Sequence, residues 1–166
     1  MRRLAVSGLL SLIFVPRYFA RQTKDAGTNL FISELDTLIG RAALSLGDTH
    51  LIETETMPGL LKLWDQRQTL GAGNFDLSNA FLFVMEENPQ AFFVSMAPHH
   101  RAFEEWIKEL PDDSFVWYSN GPCQLETKRS QLILILQHTQ IHAADASRLK
   151  DETLAKLSAI RCRQIQ

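Results

Sequence analysis

Hydrophobic side chains recur at intervals of three and four residues along most of the chain, the spacing that buries one face of an α-helix. The longest such stripe lies between Thr28 and Gly47. Thr28 can cap the first turn through its side-chain oxygen, and Gly47 can end the helix in a left-handed conformation. The stripe therefore predicts a helix, and its apolar positions are Phe31, Leu35, Leu38, Ile39, Ala42 and Leu46.

Prolines divide the middle of the chain into shorter predicted helices. Residues 50–57 are largely polar and β-branched and predict a loop. Pro58 then suits the first turn of a helix, and Pro89 and Pro98 each restart a helix after a bend. Pro111 is expected to end the last of these helices, because proline removes a backbone N–H and clashes with the preceding turn.

The last third of the chain predicts two longer helices after one extended stretch. Residues 115–118 form the clearest strand-like run, and we expect an extended loop held by aromatic burial because a single strand cannot form a sheet. Residues 125–140 contain the continuous apolar run 132–136, which is compatible with a buried strand, but the flanking helix formers favour a helix. A final helix begins near Ser147. The whole pattern predicts an all-α fold, a compact array or bundle of about six short to medium helices whose last two form an antiparallel hairpin.

The first 21 residues differ from the rest of the chain. Two arginines precede an apolar run from Leu4 to Val15. A basic start followed by about 7–15 apolar residues is typical of a secretory signal peptide, and the run is shorter than the roughly 20 residues of a membrane span. A cut after Ala20, however, would place Tyr18 where a small residue is expected. Alternatives are a first helix packed on the domain and an uncleaved anchor ending at Pro16.

These features predict a leader or N-terminal helix over residues 1–21 and a single helical domain over residues 22–166. The leader favours a periplasmic or secreted protein. A membrane-anchored form that faces the periplasm is the alternative, and a cytoplasmic location is less favoured. The length of 166 residues fits one domain.

Charge separates the two parts of the chain. The leader holds four arginines and no acidic residue, which leaves 13 of the 17 basic residues and all 19 acidic residues in the domain, a net charge of −6. Binding to a phosphate backbone needs clustered lysine and arginine, so a nucleic-acid partner is not expected. An acidic domain instead suits a basic protein partner through complementary fields.

The two cysteines, Cys123 and Cys162, predict a disulfide. If the last two helices form a hairpin that turns near residues 143–146, both cysteines lie about 20 residues from the turn and reach the same end of it. An even cysteine count in an exported chain suits an oxidising compartment. The alternative is a pair of buried thiols in a cytosolic protein.

Two histidine pairs are the candidates for chemistry. His138 and His142 stand four residues apart on a predicted helix, where they would share a face and could bind one metal ion, but Thr139 replaces the glutamate of the zincin motif. His99 and His100 precede Glu104 and Glu105 at a spacing that suits a general base and the group that orients it. Both pairs are more simply explained as surface histidines near helix ends.

No motif predicts catalysis. The sequence contains neither a G-x-S-x-G elbow nor a phosphate-binding glycine loop, and we assign no catalytic residue and no cofactor. The aromatic residues Phe115, Trp117 and Tyr118 are the candidate binding residues, since loops on rigid scaffolds often carry recognition.

The expected function is therefore that of an exported, non-catalytic protein-binding module of inhibitor, immunity or adaptor type. The alternatives are a metal-dependent hydrolase that uses the helix-borne histidines and an anchored structural subunit of an envelope assembly.

Overall fold

The computed structural model describes residues 26–44, 48–70, 74–117, 123 and 125–164. These residues form an all-α fold, as the apolar spacing predicts, with one two-residue strand pairing. The elements are α1 (Ala26–Leu44), α2 (Thr49–Leu51), a π-helical segment (Ile52–Thr56), α3 (Met57–Leu70), α4 (Asn74–Glu87), α5 (Pro89–Met96), α6 (His100–Ser114), β1 (Val116–Trp117), α7 (Leu125–His138), α8 (Ala144–Ala159) and β2 (Arg163–Gln164).

Helix α1 contains most of the predicted long stripe, but it begins at Ala26, so Thr28 lies within the helix and is not its N-cap, and Leu46 and Gly47 lie outside the described residues. The helix packs against α3 in the opposite direction. Glu34 pairs with Lys62 at 3.4 Å, and Arg41 pairs with Glu55 at 3.3 Å. The earlier residue of α1 thus contacts the later residue of the second segment, as in an antiparallel arrangement. Between these ion pairs, a methyl group added to Gly59 would lie only 2.7 Å from Cδ2 of Leu38. Glycine is therefore what allows the two helices to approach this closely.

The predicted loop over residues 50–57 is wrong, because this stretch is helical throughout. Asp48 caps its start by accepting a hydrogen bond from the backbone N–H of Leu51 at 3.2 Å. Ile52 and Thr56, four residues apart, are both buried. A β-branched residue in a helix costs less than about 1 kcal/mol relative to alanine. The free energy gained by burying the side chain of Ile52 exceeds this cost.

Proline behaves as predicted at one corner and differently at another. Asn88 accepts a hydrogen bond from the N–H of Ala91 at 3.0 Å, and Pro89 occupies the first turn of α5, as predicted. Pro111 does not end α6, which continues to Ser114. Pro111 removes one hydrogen bond, the one that residue 111 would donate to the carbonyl of Ile107, and the buried residues Leu110 and Ser114 on either side hold the backbone in place.

The core is built around aromatic rings from α3, α4, α5 and α6. Neighbouring ring centroids lie 5.0–6.2 Å apart in tilted and edge-to-face arrangements, the geometry that aromatic pairs prefer. Such side chains each bury about 150–250 Å², so this cluster accounts for much of the buried apolar area. Its members are Trp64, Phe81, Phe92, Phe93, Phe103 and Trp106.

The final helices contact each other with their residues in opposite order. Lys150 donates to the backbone oxygen of Thr139 at 3.2 Å, and Arg129 donates to that of Leu157 at 3.1 Å. The run 132–136 is helical, not a strand, and α8 starts three residues earlier than predicted. The strand-like run after Phe115 has a partner that the sequence did not reveal, because β1 pairs in parallel with β2 at the far end of the chain.

Candidate functional site

A disulfide joins Cys123 to Cys162, the pair predicted from their equal distances to the turn. The Cα atoms are 6.4 Å apart, within the usual range for disulfides. Glu126 reinforces this junction by accepting hydrogen bonds from the N–H of Cys162 and from Arg129, each at 2.8 Å. These two donors, the backbone N–H first, lower the pKa of Glu126 below its ordinary value of 4.5. The C-terminal segment is thus fastened covalently and electrostatically to the start of α7.

The first histidine pair does not share a helix face. Helix α7 ends at His138, so His142 lies in the connection to α8 and the predicted spacing on one helix is wrong. Nδ1 of His138 lies 2.7 Å from the backbone oxygen of Leu134. Among the described residues, no group of three or more His, Cys, Asp or Glu side chains is placed to hold a metal ion.

The second histidine pair is not coupled to the glutamates that follow it. Glu105 instead accepts hydrogen bonds from Arg67 at 2.7 Å and from Arg101 at 2.9 Å. These donors, Arg67 first, lower the pKa of Glu105. His99 is exposed at the start of α6, and Nδ1 of His100 lies 3.4 Å from the guanidinium of Arg148. The arrangement of a base and its orienting carboxylate is therefore not formed.

Arg67 is the one buried charged side chain of the described core and belongs to the packing between α3 and α6. Its side chain is only 4% exposed. The guanidinium stacks 3.8 Å from the ring centroid of Trp64 and donates to the backbone oxygen of that residue. Together with its bond to Glu105, these contacts give Arg67 a structural role.

The predicted aromatic binding residues are only partly described. Phe115 is 1% exposed and packs in the core, so the structure corrects its prediction as a surface binding residue. Trp117 lies in β1, with its side chain outside the described residues, and Tyr118 also lies outside them. The prediction for these two residues stays a prediction.

A shallow, open groove between α3 and α5 is a concave surface that the sequence did not reveal. Its volume is about 690 Å³. Apolar residues from both sides form its middle, and a carboxylate lies towards each end. The wall of the π-helical segment and α3 comprises Glu53, Pro58, Leu61, Lys62, Asp65 and Gln66, and the opposite wall comprises Val94, Ser95, Pro98 and His99.

An acidic corner adjoins this groove. Asn88 donates to the hydroxyl of Thr49 at 3.0 Å, which joins the start of α2 to the junction of α4 and α5. Asp48 and Glu87 immediately precede these two residues in the sequence, so both belong to the segments that meet here. We define the acidic corner as Asp48, Glu53, Glu86 and Glu87, four carboxylates for which no ion pair is found within the described ranges.

Comparison with protein-family models, with curated proteins and with solved structures finds no match to this chain. In the part of the chain that the structure describes, no helix is both long and apolar enough to span a bilayer.

Proposed function

We propose that the protein is an exported helical module that binds a basic protein, in the manner of an inhibitor, immunity protein or adaptor, and performs no chemistry. The observation that carries this proposal is the acidic corner. No lysine or arginine occurs between Arg67 and Arg101 in the sequence, so α4 and α5 bring negative charge to the surface and no positive charge.

Electrostatics explains why such a corner suits a basic partner. Clustered carboxylates create a field that accelerates encounter with positively charged proteins and disfavours acidic ones. The Debye length is about 8 Å at physiological salt, so neighbouring carboxylates still act together while distant charges are screened. Binding through this corner should therefore weaken as salt increases.

The disulfide and the basic, apolar leader support export. A bond between Cys123 and Cys162 is suited to the oxidising periplasm or to the outside of the cell. Sequencing the N-terminus of the protein from its own cell tests the leader. A start near residue 21 supports cleavage and export, whereas an intact leader in the membrane fraction supports the anchored alternative.

Affinity capture from the native envelope tests binding. The tagged wild type is compared with E86K/E87K and with the control D36K/D151K, which reverses two exposed charges on α1 and α8. We expect a basic protein that is retained by wild type and control, is lost with E86K/E87K and is released by salt. An equally retained or acidic partner would refute the charge-based proposal. The absence of any partner together with stoichiometric metal would favour the hydrolase alternative.

A further inference from the structure

We infer that the groove between α3 and α5 binds an extended segment of the basic partner, with a lysine or arginine at each end and an apolar side chain between them. This inference rests on the proposed function and adds the location and chemistry of the contact. Apolar exposure and charge placement in the groove support it.

Apolar side chains in the groove are exposed although their neighbours are buried. Val94 is 36% exposed and is the only exposed large hydrophobic side chain of α5, whose remaining apolar residues mostly face the core. Pro58 and Pro98 are also exposed on the two sides of the groove, and the buried Leu61 lies beneath them. A side chain seated on these residues would remove apolar surface from water, which stabilises a complex.

Carboxylates mark both ends of the same groove. Glu53 and Asp65 lie 12 positions apart along a continuous helical stretch, which gives an axial length of at most about 18 Å at the α-helical rise of 1.5 Å per residue, because Ile52–Thr56 is π-helical. Lys62 lies between them, but its charge is paired with Glu34 at 3.4 Å. Asp65 also attracts Arg101 electrostatically, but the side chain of Arg101 is 86% exposed, so solvent screens this attraction. A ligand therefore meets negative charge at each end and at the adjoining acidic corner.

The separation of the two carboxylates along this wall suits an extended segment. An extended chain rises about 3.3 Å per residue, so six steps cover about the axial length that separates Glu53 from Asp65. The matching ligand is a heptapeptide with cations at positions 1 and 7 and an apolar residue at position 4.

The experiment uses this peptide as its probe. A heptapeptide with lysine at positions 1 and 7, leucine at position 4 and serine elsewhere is titrated into the ¹⁵N-labelled protein at low salt. Two control peptides replace the lysines by glutamate or the leucine by serine. We expect the backbone signals of Leu61, Val94 and Ser95 to shift with the first peptide, and both controls to bind more weakly.

Matched variants locate the contact. Glu53→Lys and Asp65→Lys should each weaken peptide binding by roughly three- to tenfold, the effect of reversing one partly exposed charge. Asp36→Lys, an exposed carboxylate on α1, should leave it unchanged. Val94→Ser should weaken it, whereas Leu134→Ser, which removes an exposed leucine from α7, should not. Circular dichroism checks that each variant folds. Because two charge variants are measured, the inference can still be tested if one of them does not fold.

Three results would overturn the inference: shifts centred outside the groove, equal binding of the acidic peptide, or indifference to both charge reversals. If the groove fails in this way while E86K/E87K still loses the captured partner, the proposed function stands and only the location is wrong. If capture is also insensitive to charge, both proposals fail. Binding by this chain's own basic residues 1–24, seen as competition by a peptide of that sequence, would also count against an external partner.

Discussion

The disulfide between Cys123 and Cys162 should supply a large part of the protein's stability. The two cysteines are separated by 39 positions in the sequence. Closing a loop of that size reduces the entropy of the unfolded chain by an amount worth about 4 kcal/mol at 25 °C. Single domains are stable by about 5–15 kcal/mol in total, so the bond represents a substantial fraction.

This value predicts shifts that are easily measured. For a domain of this size each kcal/mol corresponds to about 2–4 °C, so reduction should lower Tm by about 8–16 °C. With a urea m-value near 2 kcal/mol/M, the unfolding midpoint should fall by about 2 M. The hydrogen bond from Cys162 to Glu126 and the β1–β2 pairing do not require the S–S bond, so we expect the reduced protein to fold.

The assay is urea unfolding of the wild type and of C123A/C162A, each with and without reductant. Reduction should bring the wild type to the midpoint of the double variant, and the variant should not respond to reductant. A change below about 0.5 kcal/mol on reduction would refute the loop-entropy argument. Equal free-thiol counts in the unfolded protein before and after reduction would refute the bond itself.

Five further substitutions, two of them matched controls, test the packing and the charges. The pKa of Glu126 is lowered in the folded state, so its carboxylate stabilises the fold at neutral pH. We therefore expect the wild type to be more stable than E126Q at neutral pH and to lose this advantage as the pH falls below 4.5 towards the folded pKa. Urea unfolding across pH measures the difference. Arg67→Met should lower the free energy of unfolding by about 2–4 kcal/mol, because it removes the buried partner of a charge pair. Arg101→Met should lower it by less than about 1 kcal/mol, because that pair is exposed. Equal losses in thermal unfolding would contradict the structural role of Arg67. Gly40→Ala, which meets nothing within 4 Å, should stabilise by about 0.5–1 kcal/mol, whereas Gly59→Ala should be less stable than Gly40→Ala because its methyl group must displace the side chain of Leu38; equal gains for both in thermal unfolding would contradict the described helix approach.

The elements that the sequence predicted well are those with strong local signals. A long apolar stripe marks α1, and the Asn-Pro corner marks the start of α5 because capping and proline geometry act within a few residues. Residues 50–57 were missed because only three of them are buried, Ile52, Thr56 and Met57, too few to outweigh their polar and β-branched composition. Their helix is held by tertiary burial, which local propensity does not report.

The candidate groove could not be predicted because its two walls come from segments about 30 residues apart whose contact depends on packing. A sequence signal did exist for its charge, namely the absence of lysine and arginine between Arg67 and Arg101. The His138 and His142 pair failed for the opposite reason. Its spacing is meaningful only on a continuous helix, and the end of α7 falls between the two residues.

The disulfide also makes helices α7 and α8 part of a closed ring of covalent bonds. The connection over residues 139–143 contains exposed positions, and a surface connection of this kind is a natural site of proteolysis. A single cut there would not separate the two helices, because each fragment would remain attached through one of the two sulfurs. The nicked protein would migrate as one species on a non-reducing gel and as two after reduction.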